Sequence, residues 1–248
     1  MLTAERHQRI TTLIEQQGIV KLNQLVTLIG ASESTIRRDL SELEEQQLLK
    51  RIHGGATRFY VAEKEPAMSE KTTQHVQQKQ AIAKAAAALI QADECIYIDA
   101  GSTTLAMIPF ITAPNVTVVT NGLPHSVALA QQQLTTYTIG GKVKLSTLAA
   151  VGAIASETIK NYHFDRAFIG ANGFDSAKGY TTPDPDEAQI KRLSSTLANV
   201  TYVLADSSKS GRSYFAKICQ LSDATLITNQ LESDERTRIS QKTTIIEG

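Results

Sequence analysis

The sequence predicts an α/β protein of two units: a small helical head closed by a short hairpin over residues 1–60, and a larger unit with a mostly parallel sheet over residues 76–248. Three observations carry this. Before residue 45, apolar residues recur three times at helical spacing, as Ile10/Leu13/Ile14, Leu22/Leu25/Val26/Ile29 and Ile36/Leu40/Leu43. After residue 76, short apolar runs alternate with amphipathic ones, the pattern of strands interleaved with helices in a sheet covered on both faces. Between them, residues 61–75 hold Glu63, Lys64, Glu65, Pro66, Glu70 and Lys71 with little apolar content, as expected of a linker or an exposed extension. With 248 residues in all, a 60-residue head leaves ample chain for a second core.

In the head, the first helix is expected to start at a Thr3 cap and stop at Gly18, and the second to carry Asn23 near its start and close at Gly30. Gly30-Ala31-Ser32 is a tight turn, with Ser32 as the N-cap of a third helix. Two short helices joined by such a turn form a helix-turn-helix, a DNA-docking geometry. On the third helix Ile36, Leu40 and Leu43 form the packing stripe, while Ser34, Arg38 and Ser41 point away from it at about 100° per residue. Residues 48–52 and 56–60 read as strands joined by Gly54-Gly55, a pair suited to a type I′ turn. That completes a winged helix-turn-helix. Ser34, Thr35, Arg37, Arg38 and Ser41 are the candidates for base reading, and Lys50, Arg51, His53 and Arg58 would offer donors to phosphate oxygens.

Charge alone does not select DNA, since residues 1–58 hold eight Lys/Arg against seven Asp/Glu. Placement does: Arg37 and Arg38 occupy the first turns of the third helix, and Glu42, Glu44 and Glu45 come later. The alternative is a solvated face on an ordinary helical bundle. With a formal net charge of zero, DNA affinity has to come from local basic surface.

At these residues the resemblance becomes specific. Arg6-His7, Thr35-Ile36-Arg37-Arg38-Asp39-Leu40 and Arg51-Ile52-His53-Gly54-Gly55-Ala56 resemble the signature of DeoR-family bacterial transcriptional regulators, and the resemblance runs over nearly the whole chain. One departure is Gln47, where the family pattern often has glycine between the recognition helix and the first wing strand.

The larger unit opens with an alanine-rich helix over 77–91, and strands are expected at 95–99, 116–120, 137–139, 165–171, 200–206 and 225–228. Ligands of such sheets bind at the carboxyl ends of the strands, where this chain collects small and polar residues. Asp99-Ala100-Gly101-Ser102-Thr103-Thr104 leads from the first strand into a helix, where N–H groups, hydroxyls and the helix dipole suit a phosphate. Thr120-Asn121-Gly122, Gly140-Gly141-Lys142 and Gly170-Ala171-Asn172-Gly173 end three further strands, and the four loops are expected to converge on one edge. GxGxxG after the first strand and GxxxxGK[ST] are both absent, which excludes the usual dinucleotide and P-loop readings. Glu187 and Lys191 are an i, i+4 pair, either site groups or a surface ion pair. Lys209, just past an apolar strand and beside Asp206, is placed to cover a phosphate.

Cys95 and Cys219 lie in apolar runs without CxxC spacing and read as buried free thiols, so neither a metal nor a disulfide is expected. No cofactor is expected either. The chain shows no apolar stretch of membrane-spanning length and no signal-peptide core, which predicts a soluble cytoplasmic protein.

The family resemblance implies an effector domain similar in fold to ribose-5-phosphate isomerase, binding a phosphorylated sugar that releases a repressor from double-stranded operator DNA. It places ligand-site motifs at Asp99–Thr104, at Thr120-Asn121-Gly122, at Gly140-Gly141-Lys142 and at 206–209. Gly179-Tyr180-Thr181-Thr182-Pro183-Asp184 with Glu187-Ala188 is most similar to the fructose-operon regulators of Gram-positive bacteria, which implies fructose 1-phosphate as the effector. Tagatose 6-phosphate, the inducer of the similar lactose-operon repressors, is the alternative. Two other classes stand beside this reading. A phosphosugar isomerase would use carboxylates and lysines from Asp99, Asp186, Glu187, Lys191 and Lys209, and a DNA-bridging protein would use the head and leave the loops idle. Operator half-sites read by single heads imply a homodimer or homotetramer.

Overall fold

The computed structural model describes residues 2–46, 48–52, 54–58 and 67–248, with only the backbone of Glu15, Gln16 and Arg58. The chain divides into two compact units, Met1–Lys64 and Glu65–Gly248.

The smaller unit runs α1 (Thr3–Gln17), β1 (Ile19–Lys21), α2 (Leu22–Ile29), α3 (Glu33–Glu45), β2 (Leu49–Ile52) and β3 (Gly55–Arg58). The helical stripes meet in one core of Ile10, Ile14, Leu25, Ile36, Leu40 and Leu43, to which Val20, Leu49 and Ala56 of the strands add. Thr3 is the first helical residue rather than the cap, which falls on Leu2. Gly18 and Gly30 both take positive φ, 75° and 71°, where a side chain would strain the helix end. The Ser32 hydroxyl accepts from the Thr35 N–H at 3.2 Å and so caps α3.

The wing has a strand that the sequence did not announce. β1 pairs antiparallel with β3, giving the order β1-β3-β2. Ile19-Val20-Lys21 is too short for a periodicity signal. Gly55 is not a turn residue, as expected, but a strand residue opposite Ile52 and Lys21. A Cβ there would lie 2.3 Å from the Val20 carbonyl oxygen, so the third strand is what requires glycine. Gln47, His53, residues 59–60 of the second expected wing strand and residues 61–66 of the expected linker lie outside the described residues.

The larger unit is built on seven parallel strands. In chain order they are β4 (Cys95–Ile98), β5 (Thr117–Thr120), β6 (Thr135–Thr138), β9 (Phe164–Gly170), β12 (Ala198–Leu204), β14 (Thr225–Thr228) and β15 (Ile245–Glu247). Their order in space is β15-β14-β12-β9-β4-β5-β6, and every pairing is parallel. Ile245-Ile246-Glu247, at the end of the chain, supplies a strand beyond the six expected. The central strands are buried on both faces: Ile96, Ile98, Phe168 and Leu204 enter one apolar cluster, and Tyr97, Ala167, Ile169 and Val203 the other. Period-two alternation between two dry faces is why these runs are nearly continuously apolar.

Helices α5 (Val76–Ala87), α6 (Ser102–Met107) and α7 (Leu123–Gln131) contribute to the first cluster, and α8 (Ala153–Ile159), α9 (Pro185–Thr196) and α10 (Ser233–Ser240) to the second. Two small antiparallel additions complete the unit: a hairpin of β7 (Lys142–Lys144) with β8 (Ala149–Val151), and a three-stranded sheet of β10 (Gly173–Asp175), β11 (Gly179–Thr182) and β13 (Ala216–Cys219). Cys95 and Cys219 are free and only partly buried.

Residues 67–75, expected as linker, include a helix, α4 (Met68–Thr73), whose Met68 side chain is buried. The Met68 N–H donates to the Ser146 carbonyl at 2.7 Å, so the segment is docked on the larger unit. A single apolar residue among five polar ones gives no periodicity, which is why the sequence reads as an extension there.

Candidate functional site: a basic cleft at the switch point, and a recognition helix

From β4 the chain steps outward to β5 and β6, then returns to the other side of β4 as β9 and steps outward again through β12. The carboxyl ends of β4 and β9 therefore part company, which opens a crevice at the topological switch point. A cleft of about 690 Å³, counted out to open solvent, lies there. Its walls come from the loop after β4 (Ala100 to Thr103), the loop after β9 (Gly170 to Asn172) and the loop after β12 (Ala205, Asp206 and Lys209). Glu187 and Lys191 of α9 and Thr147 of the β7–β8 hairpin add to these. Met68, Lys71, Gln74 and His75, with Lys79 of α5, close the remaining side.

The sequence placed Gly101, Ser102, Thr103, Glu187, Asp206 and Lys209 at an effector site, and all six line this cleft. Asp99 stands just behind, with 2 % of its surface exposed. Its Oδ2 accepts from the Gly170 N–H at 3.0 Å and from the ammonium of Lys191. This carboxylate thus ties β4 to β9 across the switch point while fixing a cleft lysine.

Six expected residues lie elsewhere. Thr104 is fully buried, donating to the Asp99 and Gly101 carbonyls and accepting from the Gly101 N–H, so it braces the loop from behind. Thr120 is spent on the Gly122 N–H. Asn121 accepts from the Tyr97 hydroxyl and the Ala100 N–H and donates to the Ala150 carbonyl. Gly140, Gly141 and Lys142 are absent from the cleft walls. Gly141 passes close to the Val151 carbonyl and Ala155, where a Cβ would meet atoms at 2.9 and 3.0 Å, and Lys142 is exposed on β7. The reason is strand order: β5 and β6 lie beyond β4 on the side away from β9, about 4.8 and 9.6 Å further out.

Glu187 and Lys191 are not a surface pair. They share the inner face of α9 with Ala188, Ile190 and Ser194, and are 6 % and 5 % exposed. Buried charges need partners, and these have them. Glu187 accepts from the Thr147 hydroxyl at 2.6 Å and sits 3.2 Å from the Lys144 ammonium, while Lys191 holds Asp99. Lys144 also reaches Asp184, the N-cap of α9, at 3.1 Å. Burial opposes the charge on Asp184, but N–H donors at the helix start and Lys144 outweigh it and hold the carboxyl below its ordinary range.

The loop Gly170-Ala171-Asn172, expected at the converging edge, does line the cleft, whereas the sequence reading missed Lys71, Gln74, His75, Lys79 and Thr147. Only Lys79 had a legible signal. It falls on the stripe of Ile82, Ala83 and Ala86, where a lysine 6 % exposed has to meet something polar. Its ammonium donates to the Lys71 carbonyl, and burial lowers its pKa, opposed by the charge of Asp206. Four ammonium groups, on residues 71, 79, 191 and 209, thus face or flank the cleft against the three carboxylates of Asp99, Glu187 and Asp206. Ser102 and Thr103 present hydroxyls with no partner among the described residues. A surplus of ammonium beside free hydroxyls at a strand end is chemistry for an anion that also carries hydroxyl groups.

In the smaller unit, the expected recognition surface is held rigidly from behind. Asp39 of α3, 2 % exposed, accepts from Arg6 Nε and Nη2 at 2.5 and 2.8 Å and lies 3.1 Å from His7 Nε2, which pins α3 to α1. Burial alone would raise the Asp39 pKa, and the hydrogen bonds from Arg6 and His7 overturn this and hold it low. These are the same Arg6, His7 and Asp39 on which the family resemblance rests, so part of that signature is scaffold. His7, Asp39 and Glu42 also converge as three possible metal ligands, but the guanidinium of Arg6 already neutralises the central carboxylate.

Outward from α3, Arg38 is exposed and has no partner among the described residues, while Arg37 is engaged with Glu33 at 2.6 Å. Ser34 and Thr35 hydroxyls both contact Ser32 at the cap. Ser41 accepts from Arg51 Nη1 at 2.7 Å, and the Arg51 N–H donates to Glu44, so the wing and the recognition helix are locked together. Lys50 is exposed on the wing. His53 and the side chain of Arg58 lie outside what is described.

A winged helix-turn-helix in a chain that also carries an α/β unit with a basic cleft is the arrangement of a transcriptional regulator. The comparisons agree over both units. The DeoR-like helix-turn-helix domain matches residues 6–60, and the DeoR C terminal sensor domain matches residues 74–230. The chain belongs to the DeoR family of DNA-binding transcriptional regulators.

It is 44 % identical over 246 residues to the uncharacterized HTH-type transcriptional regulator FruR of Bacillus subtilis, covering 99 % of this chain and 98 % of that one. It is 33 % identical to the lactose phosphotransferase system repressor of Streptococcus mutans, covering 99 % of this chain and 100 % of that one. These relatives are regulators, and the chain is a regulator rather than an enzyme. Among solved structures, a ribose 5-phosphate isomerase of Methanocaldococcus jannaschii aligns at TM-score 0.41 and 18 % identity over 55 % of each chain. The sorbitol operon regulator SorC of Klebsiella pneumoniae aligns at TM-score 0.38 and 14 % identity, covering 83 % of this chain and 89 % of that one. No helix among the described residues is long and apolar enough to cross a membrane.

Proposed function

We propose that this regulator is the repressor of a sugar-utilisation operon, acting in the cytoplasm as a homodimer or homotetramer and released from its operator by a phosphorylated sugar bound in the switch-point cleft. The observation that carries the reading is the composition of that cleft. Among its lining residues, Lys209, Ser102 and Thr103 offer an ammonium and two hydroxyls to a phosphate, and Glu187, Asn172 and Asp206 offer acceptors to sugar hydroxyls. On the DNA side, Arg38 is the leading base-reading residue, with Ser34, Thr35, Arg37 and Ser41 beside it and Lys50 and Arg51 on the wing toward phosphates.

Fructose 1-phosphate is the leading effector. It is supported by the resemblance of 179–184 and Glu187-Ala188 to fructose-operon regulators and by the high identity to FruR over the whole chain. Tagatose 6-phosphate is the second reading, favoured by the full-length match to a lactose phosphotransferase system repressor.

Release requires that the sugar prefer the form in which the two heads no longer match the half-site spacing, because equal affinity for both forms shifts nothing. A thermal-shift screen of the full chain against fructose 1-phosphate, fructose 6-phosphate, tagatose 6-phosphate, ribose 5-phosphate and the free sugars tests this. At 100 times its dissociation constant the true effector adds about 2.7 kcal/mol of stability. A selective rise with fructose 1-phosphate is expected. A selective rise with tagatose 6-phosphate moves the reading to the lactose branch, and a flat response to all of them removes the sensor assignment.

A further inference from the structure

The cleft wall contributed by residues 67–79 is unlike the others. The loops after β4, β9 and β12 are anchored in the central sheet, whereas α4 is a single helical segment of six residues. Isolated helices need about 12–15 residues to persist in water, so α4 exists by virtue of its contacts. Three stand out among the described residues: the buried Met68 side chain, the Met68 N–H on the Ser146 carbonyl, and the Lys79 ammonium on the Lys71 carbonyl near the end of the helix. The joint from α4 to α5 is His75, a non-glycine residue at φ 51°, a left-handed conformation that its surroundings have to hold in place. Short elements that persist only through tertiary contacts sit at the low-stability end of a fold, from which switches are drawn.

Two features make this wall responsive to what the cleft holds. Lys71, Gln74 and His75 all line it, so part of α4 and its joint face any occupant. Lys79 lines it too, and an ammonium has three donors, of which one is used on the Lys71 carbonyl. The others are available to an anion in the same space. A phosphate near Lys79 is therefore bonded, through one nitrogen, to the backbone of α4. This helix is also the first described element after the DNA-binding unit, so whatever fixes α4 fixes the point from which the head is tethered.

Resting on the phosphosugar reading of the cleft, we propose that α4 is the effector-responsive element of this chain and that Lys79 is the residue that couples it to the ligand. A bound phosphosugar is clamped between α4 and α5 on one side and the loops after β4 and β12 on the other. Burial lowers the Lys79 pKa against the pull of Asp206, and the neighbouring ammonium groups of Lys209 and Lys71 lower it further, so an added anion here would meet a cluster of cations.

Hydrogen–deuterium exchange on the full chain, with and without saturating fructose 1-phosphate and with fructose as control, tests the relay. In the wild type the amides of 68–73 are expected to slow by tenfold or more with the phosphosugar, together with those of 102–104. In Lys79→Met, exchange at 102–104 still slows at saturating ligand, while exchange at 68–73 starts faster than in the wild type and no longer responds. Wild-type slowing at 102–104 with no change at 68–73 overturns the relay and leaves the site intact. An undiminished response of 68–73 in Lys79→Met overturns the role of Lys79. No slowing at 102–104 with fructose 1-phosphate, tagatose 6-phosphate or inorganic phosphate overturns the site itself, and the relay with it. Lys79→Arg, which keeps a cation and several donors, is expected to retain at least part of the response and guards against mere loss of packing.

Discussion

Replacing Lys191 by methionine probes the centre of the switch point directly. Methionine keeps the length of the side chain and its packing on α9 but removes the ammonium. In the protein this group sits on the Oδ2 of Asp99, and the two residues are 5 % and 2 % exposed. Without it, Asp99 retains the Gly170 N–H at 3.0 Å but loses the charge opposite it. Removing one partner of a buried pair costs about 3–5 kcal/mol, and the retained N–H places this case at the lower end, about 3 kcal/mol. In a unit of this size that lowers the melting midpoint by roughly 6–12 °C.

Adding Asp99→Asn removes the stranded charge, while the amide oxygen still accepts from Gly170. The double variant is therefore expected within about 1.5 kcal/mol of the wild type, since replacing both partners of a buried pair is often close to neutral. Urea denaturation of the full chain followed by far-ultraviolet circular dichroism, analysed as a double-mutant cycle, measures the coupling. A Lys191→Met variant within about 1 kcal/mol of the wild type, or a double variant as unstable as the single one, refutes the claim that this pair is a buried scaffold of the cleft.

Three further outcomes follow from the geometry. Arg38→Ala is expected to weaken operator binding by about 1–3 kcal/mol in a salt-controlled titration, with phosphosugar affinity unchanged; equal operator affinity takes Arg38 off the reading face. Lys209→Ala is expected to weaken fructose 1-phosphate binding by tenfold or more in calorimetry, and an affinity matching the wild type moves the phosphate to other cations of the cleft. His125, buried against the loop after β4, has its pKa pushed from 6.5 down to about 4 by burial. Between those values the unfolded chain binds a proton that the folded chain does not, so stability is full above pH 6.5 and falls as the pH drops toward 4, by about 3 kcal/mol from this group. His125→Asn should flatten the slope over that interval, and an unchanged slope assigns it to other groups.

How much of this was legible in the sequence depended on whether the signal was local. The recognition helix was, because Ile36, Leu40 and Leu43 define its buried stripe and Ser32 its start, and both follow from spacing alone. Lys191 was half legible: its spacing from Glu187 fits an exposed ion pair as well as an inward pair, and only the apolar company of Ala188 and Ile190 on the same helical face distinguishes them. β1 and α4 were not legible, since a three-residue strand and a six-residue helix carry too few periods to register and exist through contacts with distant residues, Thr57 and Ser146 among them.

The effector residues divide along a different line. Asp99, Ser102, Thr120, Asn121 and Gly140 all stand at or just beyond the carboxyl end of a strand, and from the sequence alone they are equivalent. What separates them is the order of strands in space, which the chain order does not contain. β4 and β9 are neighbours although two other sheet strands intervene between them in sequence, so the loops after these two strands face each other across the crevice. The loops after β5 and β6 are left on the outside. There the same residue types do structural work, and Asn121 shows how: both ends of its amide are used, one to hold the Ala100 N–H and the other the Ala150 carbonyl. It supports the loop carrying Ser102 and Thr103 without itself lining the cleft. A substitution at Asn121 should therefore impair ligand binding only through loss of order in that loop, whereas a substitution at Ser102 should impair it with the loop intact, a distinction that exchange rates at 100–104 would resolve.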